Sequence, residues 1–284
     1  SKALENAGRP DEVPDLVWLT AAPGFEEQVL EGVKEVVGHR ALIVGGSSAD
    51  NNIAGNWFQF SRERVCEAGI VVSVLFSKAD ISSVYQNGHV PVGPAGNVTK
   101  AEGRRLVEIN SRPAAEIYFN WLRREVPQVP KESSSVSVLS DTTFSPLGKV
   151  TGSLAKVPAF LLLHPAMMEN DGTLQLFADV NVGDTVHLMQ AKASSLIERA
   201  GKMAAQAKAD IEFRGLKCAG ELIVFCGGCL LAVEQELPEI REAISRELGD
   251  TPFLVMFSFG EQGKGGDLQS HHANLMISCT AFGA

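Results

Sequence analysis

The chain has 284 residues, 45% hydrophobic and 21% charged, with a formal net charge of −9. That length supports one large domain or two ordinary ones with a real core, and the composition excludes a disordered chain. The acidic balance leaves no electrostatic footprint for non-specific nucleic-acid binding, and no apolar run reaches the roughly 18 residues of a membrane-spanning helix.

The chain opens on Ser1 and a polar stretch, so a trimmed start or a removed leader is expected ahead of it. Leu16-Val17-Trp18-Leu19, bounded by Pro14 and the turn Pro23-Gly24, reads as a buried strand. Residues 25–37 have helical spacing, with Glu26 and Glu27 in the first turn and Gly38 as the C-terminal cap. Residues 41–44 form a second apolar strand that runs straight into Gly45-Gly46-Ser47-Ser48-Ala49-Asp50-Asn51-Asn52. Residues 70–76 are the next strand.

In the middle, strands are expected over 90–92, 106–109, 160–163, 173–177 and 185–188. A short helix is expected over 112–125, ending before Pro127, and residues 128–137, rich in Pro and Ser, read as a linker. Residues 191–209 read as an Ala-rich helix.

The far end repeats the opening pattern. Residues 222–225 form an apolar strand, and Cys226-Gly227-Gly228-Cys229 follows. Residues 234–248 are helical, with Leu237, Ile240, Ile244 and Leu248 on one face. Residues 253–257 form the next strand, which runs into Ser258-Phe259-Gly260-Glu261-Gln262-Gly263, and residues 275–280 form another. Shared order and shared loop position indicate a diverged internal duplication. The fold class is therefore α/β (mixed α+β), with two pseudo-duplicated strand–helix–strand units and mixed sheets flanked by helices.

Chemistry is expected where each unit ends. Gly45 and Gly46 let backbone approach a ligand, while Ser47, Ser48, Asp50 and Asn51 supply donors and acceptors at a strand's carboxyl end. No Gly-Lys-Ser/Thr follows, so this is not a phosphate-binding P-loop. The plain alternative is a turn joining two strands. Glu261, between Gly260 and Gly263, forms a second cradle, with a solvated turn acid as its alternative. His271 and His272 are adjacent and would point to opposite faces of a strand, so a joint metal site is not expected. One of the two is instead expected to face Glu261, with Asn274 nearby. The Cys226/Cys229 pair admits a rival reading as a thiol oxidoreductase. A second Cys-x-x-Cys, which a four-thiolate zinc site would need, is missing. His164, before Pro165, could place a side chain in a cleft, but a satisfied core or edge histidine is the more frequent case. Five scattered cysteines point to a reducing compartment, the cytoplasm or an organelle interior.

Several of these segments together carry a resemblance. Val44-Gly45-Gly46-Ser47-Ser48-Ala49-Asp50, then Asn87-Gly88-His89-Val90-Pro91-Val92-Gly93 with Val98-Thr99-Lys100-Ala101, and the helix from Arg112 resemble the FIST N-terminal domain. Phe257-Ser258-Phe259-Gly260-Glu261-Gln262-Gly263 with Asn274 is similar to the FIST C-terminal domain. The resemblance implies domains over 1–130, incomplete at its start, and 131–284. It also implies a sensory module for small polar ligands such as amino acids, without catalytic activity or a cofactor. The family is found in bacterial signalling proteins and in some F-box proteins. Where it often shows a Cys, a small residue and an Arg, this chain has Cys226-Gly227-Gly228-Cys229. The pocket is expected between the two polar loops, formed by Gly45, Gly46, Ser47, Ser48, Asp50, Asn51, Cys226, Gly260, Glu261, Gly263, His272 and Asn274. A scaffold or accessory subunit of a larger complex is the second reading of the whole.

Overall fold

Two copies of one parallel strand–helix–strand unit organise the computed structural model, which describes residues 1–50, 54–62, 64–154 and 156–284. The first copy follows a short helix α1 (Lys2–Asn6) and comprises β1 (Leu16–Ala21), α2 (Glu26–Val37) and β2 (Ile43–Ser47). A small hairpin, β3 (Gln59–Phe60) and β4 (Val65–Cys66), leads to β5 (Ile70–Leu75) and β6 (Ile81–Asn87). Next come the long β7 (Val90–Glu102), β8 (Arg105–Ile109), β9 (Arg112–Pro113), α3 (Ala114–Trp121), β10 (Ser135–Ser137) and α4 (Leu139–Thr142). The chain continues through β11 (Leu147–Leu154), β12 (Val157–Leu163), β13 (Pro165–Glu169), β14 (Leu174–Leu176), β15 (Thr185–Gln190) and α5 (Ala193–Phe213). The second copy is β16 (Cys218–Cys226), α6 (Gly227–Ala232), α7 (Leu237–Leu248) and β17 (Phe253–Ser258). Strands β18 (Glu261–Lys264), β19 (Ser270–Ala273) and β20 (Met276–Gly283) close the described chain.

The duplication is visible in the pairing. In each copy the first strand lies between a parallel partner reached over a helix and a later antiparallel strand. β1 sits between β2 and β5, and β16 sits between β17 and β20. Apolar runs make β1, β2 and β16, which are buried along most of their length, as parallel pairs require. The crossover helices bury one stripe each: Leu30, Val33 and Val37 on α2, and Ile240, Ala243, Ile244 and Leu248 on α7.

Each sheet borrows strands from the other end of the chain. The first sheet runs β19-β18-β2-β1-β5 and the second runs β17-β16-β20-β6. A nine-stranded sheet, β10-β13-β14-β8-β7-β15-β11-β12 with β9 on β8, joins segments from both halves. Its core centres on Leu106, Ile109, Tyr118, Leu147 and Leu174. Helix α5 covers the second sheet beside α7. Ala200, Ala204 and Ala207 are fully buried there, and a Cβ at Gly201 would stand 2.8 Å from the Ala243 carbonyl oxygen. Small residues are what let these two helices close to that distance.

Several expected boundaries change. The two polar loops are largely strand: Gly45, Gly46 and Ser47 complete β2, and Glu261 to Lys264 form β18, which pairs antiparallel with β2. Glycine and short polar residues read as turn chemistry locally, but here each strand supplies the other's missing hydrogen-bond partner. β7 runs from Val90 through Gly93, Pro94 and Gly96, far beyond the apolar 90–92. The helix expected over 112–125 is Ala114–Trp121, because Arg112 and Pro113 pair with β8. The helix expected over 234–248 begins in a 3₁₀ turn, Glu234–Glu236, and becomes α-helical at Leu237. Among the described residues, no helix is long and apolar enough to cross a membrane.

Candidate functional site

The two units meet at the carboxyl ends of their strands. The Ser47 N–H donates to the Gly260 carbonyl at 2.8 Å, and the Phe259 N–H donates to the Ser47 carbonyl at 3.1 Å. Register sets Glu261 beside Gly46 and Gln262 beside Gly45. Close approach explains the glycines. A Cβ on Gly45, whose φ is +146°, would lie 1.8 Å from the Leu19 carbonyl oxygen, and one on Gly260 would lie 2.3 Å from the His272 ring. Gly46 packs on Ser258 and Gly263 on the face of Tyr85.

A buried carboxyl stands on each side of this seam. On one side Glu26, in the first turn of α2, accepts from Ser47 Oγ at 2.7 Å and from Arg104 Nη2 at 2.6 Å. Arg104 lies in the turn between β7 and β8 and also binds Glu27. Burial works against the Glu26 carboxylate, but His272, Arg104 and Ser47 together hold its pKa below the usual range. On the other side Glu261 is fully buried. It accepts from Ser258 Oγ at 2.9 Å and from the Met276 N–H at 3.0 Å. Burial, with Cys226 alongside, pushes its pKa well up.

His272 does not face Glu261. Strand alternation puts it on the opposite side of β19, against Gln262 and the Phe177 carbonyl. Its ring lies with Glu26 and Glu27, their ligand atoms within 4.8 Å of one another, and the Arg104 guanidinium is the cation bound to both carboxylates there. His271 points the other way and pairs with Asp267.

A cavity of about 490 Å³ opens off the ends of β16 and β17. Small-molecule sites have this size and position. Its polar lining includes Cys226 at the end of β16, His164 between β12 and β13, Thr143 after α4, and Asn274 between β19 and β20. Phe144, Phe177, Phe259 and Leu231 form apolar wall. Among the described residues, no Lys, Arg, Asp or Glu lines it. His164 lies 3.3 Å from Thr143 Oγ1, and burial beside His89 lowers its pKa to about 3, so it is neutral near pH 7. Burial opposes a Cys226 thiolate. The Cys229 thiol and the N–H groups of Cys229, Leu275 and Gly228 outweigh it and lower the pKa to about 7. Cys229, donating to that sulfur, is pushed up.

Asn274 is only 2% exposed, and both its Nδ2 and its Oδ1 are without a hydrogen-bond partner. A buried carboxamide left open at both ends costs on the order of 1–3 kcal/mol per group unless something fills it.

The expected site residues therefore separate. Cys226 and Asn274 line the cavity, and Glu261 backs Cys226 from the seam. Gly45, Gly46, Ser47, Gly260, Gly263 and His272 build the seam. Ser48 accepts from Gln59 Nε2, and Asp50 accepts from the N–H groups of Ala54 and Asn56, closing its own loop. Asn51 lies outside the described residues. The sequence reading missed Glu26 and Arg104, whose pairing joins segments 78 positions apart. It also passed over Thr143 and Phe177, and ranked a cleft position for His164 second to a core or edge one. Only His164 carried a local signal, a polar residue held between an apolar strand and Pro165.

Comparison with known families gives two adjacent matches. A FIST N domain model matches residues 2–112 and a FIST C domain model matches residues 114–264. An uncharacterized protein of Methanocaldococcus jannaschii is 31% identical over 80 residues, which are 28% of this chain and 16% of that protein's length.

Proposed function

The chain belongs to the FIST family, with its N and C domains in succession, and from that premise we propose that it is a non-enzymatic sensory protein holding a small ligand in the cavity beside Asn274. One observation carries the reading: a buried carboxamide with donor and acceptor both open, set in a cavity of ligand size. The ligand's polar edge, an amide or similar donor–acceptor pair, would take both ends of Asn274. Its apolar body would lie against Phe144, Phe177 and Phe259. Amino acids, the ligand class the family suggests, fit this chemistry best as uncharged derivatives. No ionised base among the described lining residues would answer a carboxylate. Rival redox chemistry at Cys226 and Cys229 finds no support in the family match.

Thermal unfolding tests the reading with free amino acids and with their N-acetyl amides. Saturable stabilisation of about 2–3 kcal/mol is expected near a hundredfold excess over Kd. Asn274→Leu should abolish it while still unfolding cooperatively. No stabilisation by either class would count against ligand binding here.

The second reading, an accessory subunit of a larger complex, is favoured by β17. This strand forms the edge of its sheet, with Leu254 62% exposed. Edge strands of that kind invite pairing. A strictly monomeric protein that recovers no partner from lysate would remove it.

A further inference from the structure

Cys226 lines the cavity at the end of β16. The Cys229 thiol and the Glu261 carboxyl adjoin its sulfur. A Cβ on Gly228 would stand 3.5 Å from that sulfur and 3.7 Å from His164 Cε1. Glycine at 228 therefore leaves open the space between thiol and imidazole. Asn274, in the same lining, offers an Nδ2–H with nothing to donate to. The walls are aromatic and aliphatic, without Lys, Arg, Asp or Glu among the described lining residues.

We propose that Cys226 captures uncharged α,β-unsaturated carbonyl compounds in this cavity, with Asn274 Nδ2 donating to the carbonyl oxygen. Sulfur bonds to the β-carbon, the carbon–carbon π bond breaks, and its electron pair moves onto the α-carbon and carbonyl oxygen. The α-carbon then takes one proton from water, leaving a saturated thioether, so no oxidant or reductant enters the balance. Apolar walls and a thiolate both disfavour a carboxylate, which selects the uncharged member of the class. The inference rests on the reading of this cavity as the ligand site.

The test treats the full chain with benzylideneacetone, a neutral aromatic enone, and separately with iodoacetamide, followed by peptide-mapped mass spectrometry. Both reagents are expected to label Cys226 ahead of the part-exposed Cys66. The rate should rise with pH about a midpoint near 7, set with Cys229, Glu261, Tyr85 and His164 as the facing titratable groups. Asn274→Leu should slow enone addition about tenfold or more yet change iodoacetamide alkylation by less than about threefold, because displacement of iodide needs no oxyanion donor. Cys226→Ser, checked for cooperative unfolding, should lose the enone adduct. Labelling confined to Cys66, equal slowing of both reagents, or a midpoint near the ordinary thiol value of about 8.5 overturns the proposal. A ligand that stabilises the chain while the enone leaves Cys226 unmodified overturns capture alone. Absence of both stabilisation and adduct removes the ligand reading too.

Discussion

Glu221 shows how a single buried carboxyl sets its own pH dependence. It sits on β16, 3% exposed, with neither carboxyl oxygen hydrogen-bonded. Burial raises its pKa to about 8, only partly offset by Lys208. A raised acid favours the folded state fully below its unfolded value and loses that contribution as pH climbs through the folded one. Glu221→Gln, which cannot ionise, should therefore be more stable than the parent by about 2–3 kcal/mol at pH 7. Urea denaturation at both ends of the range should find the difference gone near pH 4.5. A constant difference across that range would refute the burial argument. Burial pushes the Glu261 pKa up as well, but Glu261 has two hydrogen-bond donors, so its carboxyl is held in a definite orientation behind Cys226. At this scale the sequence was partly legible. It singled out Cys226 and Glu261 because polar residues next to glycines at strand ends stand out, and Asn274 because it follows Glu261 closely in sequence. It misplaced Asp50 and His272, since neither loop closure nor strand face follows from residue type.

At the level of elements, the turn between β7 and β8 is pinned to α2 by Arg104. Its guanidinium reaches Glu26 and Glu27, while the Glu27 carboxylate also accepts from the Asp179 N–H. Removing one partner of a buried ion pair strands the other charge. Arg104→Met should cost about 3–5 kcal/mol at pH 7. Glu26 behaves oppositely to Glu221. Its lowered pKa contributes stability above the unfolded value near 4.5, lost as pH falls through the folded one. The cost of Arg104→Met should thus shrink as Glu26 protonates, and Arg104→Met with Glu26→Gln should recover part of it at pH 7. Chemical denaturation of the three variants at both pH values measures this. An undiminished cost at low pH would place the effect in packing instead. Strand–helix–strand elements were readable from apolar runs, helical spacing and glycine caps. β18 was not, because Gly260-Glu261-Gln262-Gly263 has turn composition and takes strand geometry only by pairing with β2.

Across the whole molecule, three sheets draw strands from distant parts of the chain. β18 and β19 complete the sheet of β1 and β2, while β6 completes that of β16 and β20. A fragment of residues 1–130 would leave β2 without β18 and β6 without β20, exposing backbone groups with no partner. It should therefore give a poorly dispersed NMR spectrum and no cooperative melt. The full chain should unfold in one transition by both circular dichroism and fluorescence. A folded, cooperatively melting fragment would show that the exchanged strands are dispensable.

The sequence by itself determined the duplicated units, the α/β class and the family, since apolar periodicity and short linked motifs are local properties that residue order preserves. Tertiary structure alone decided that the two polar segments pair as strands and that burial and charge shift the pKa of Glu26 down and that of Glu261 up. It also decided that the cavity is shared by Cys226, His164 and Asn274. Each of those facts depends on which groups burial brings together across long stretches of chain, and burial and charge pairing act through space.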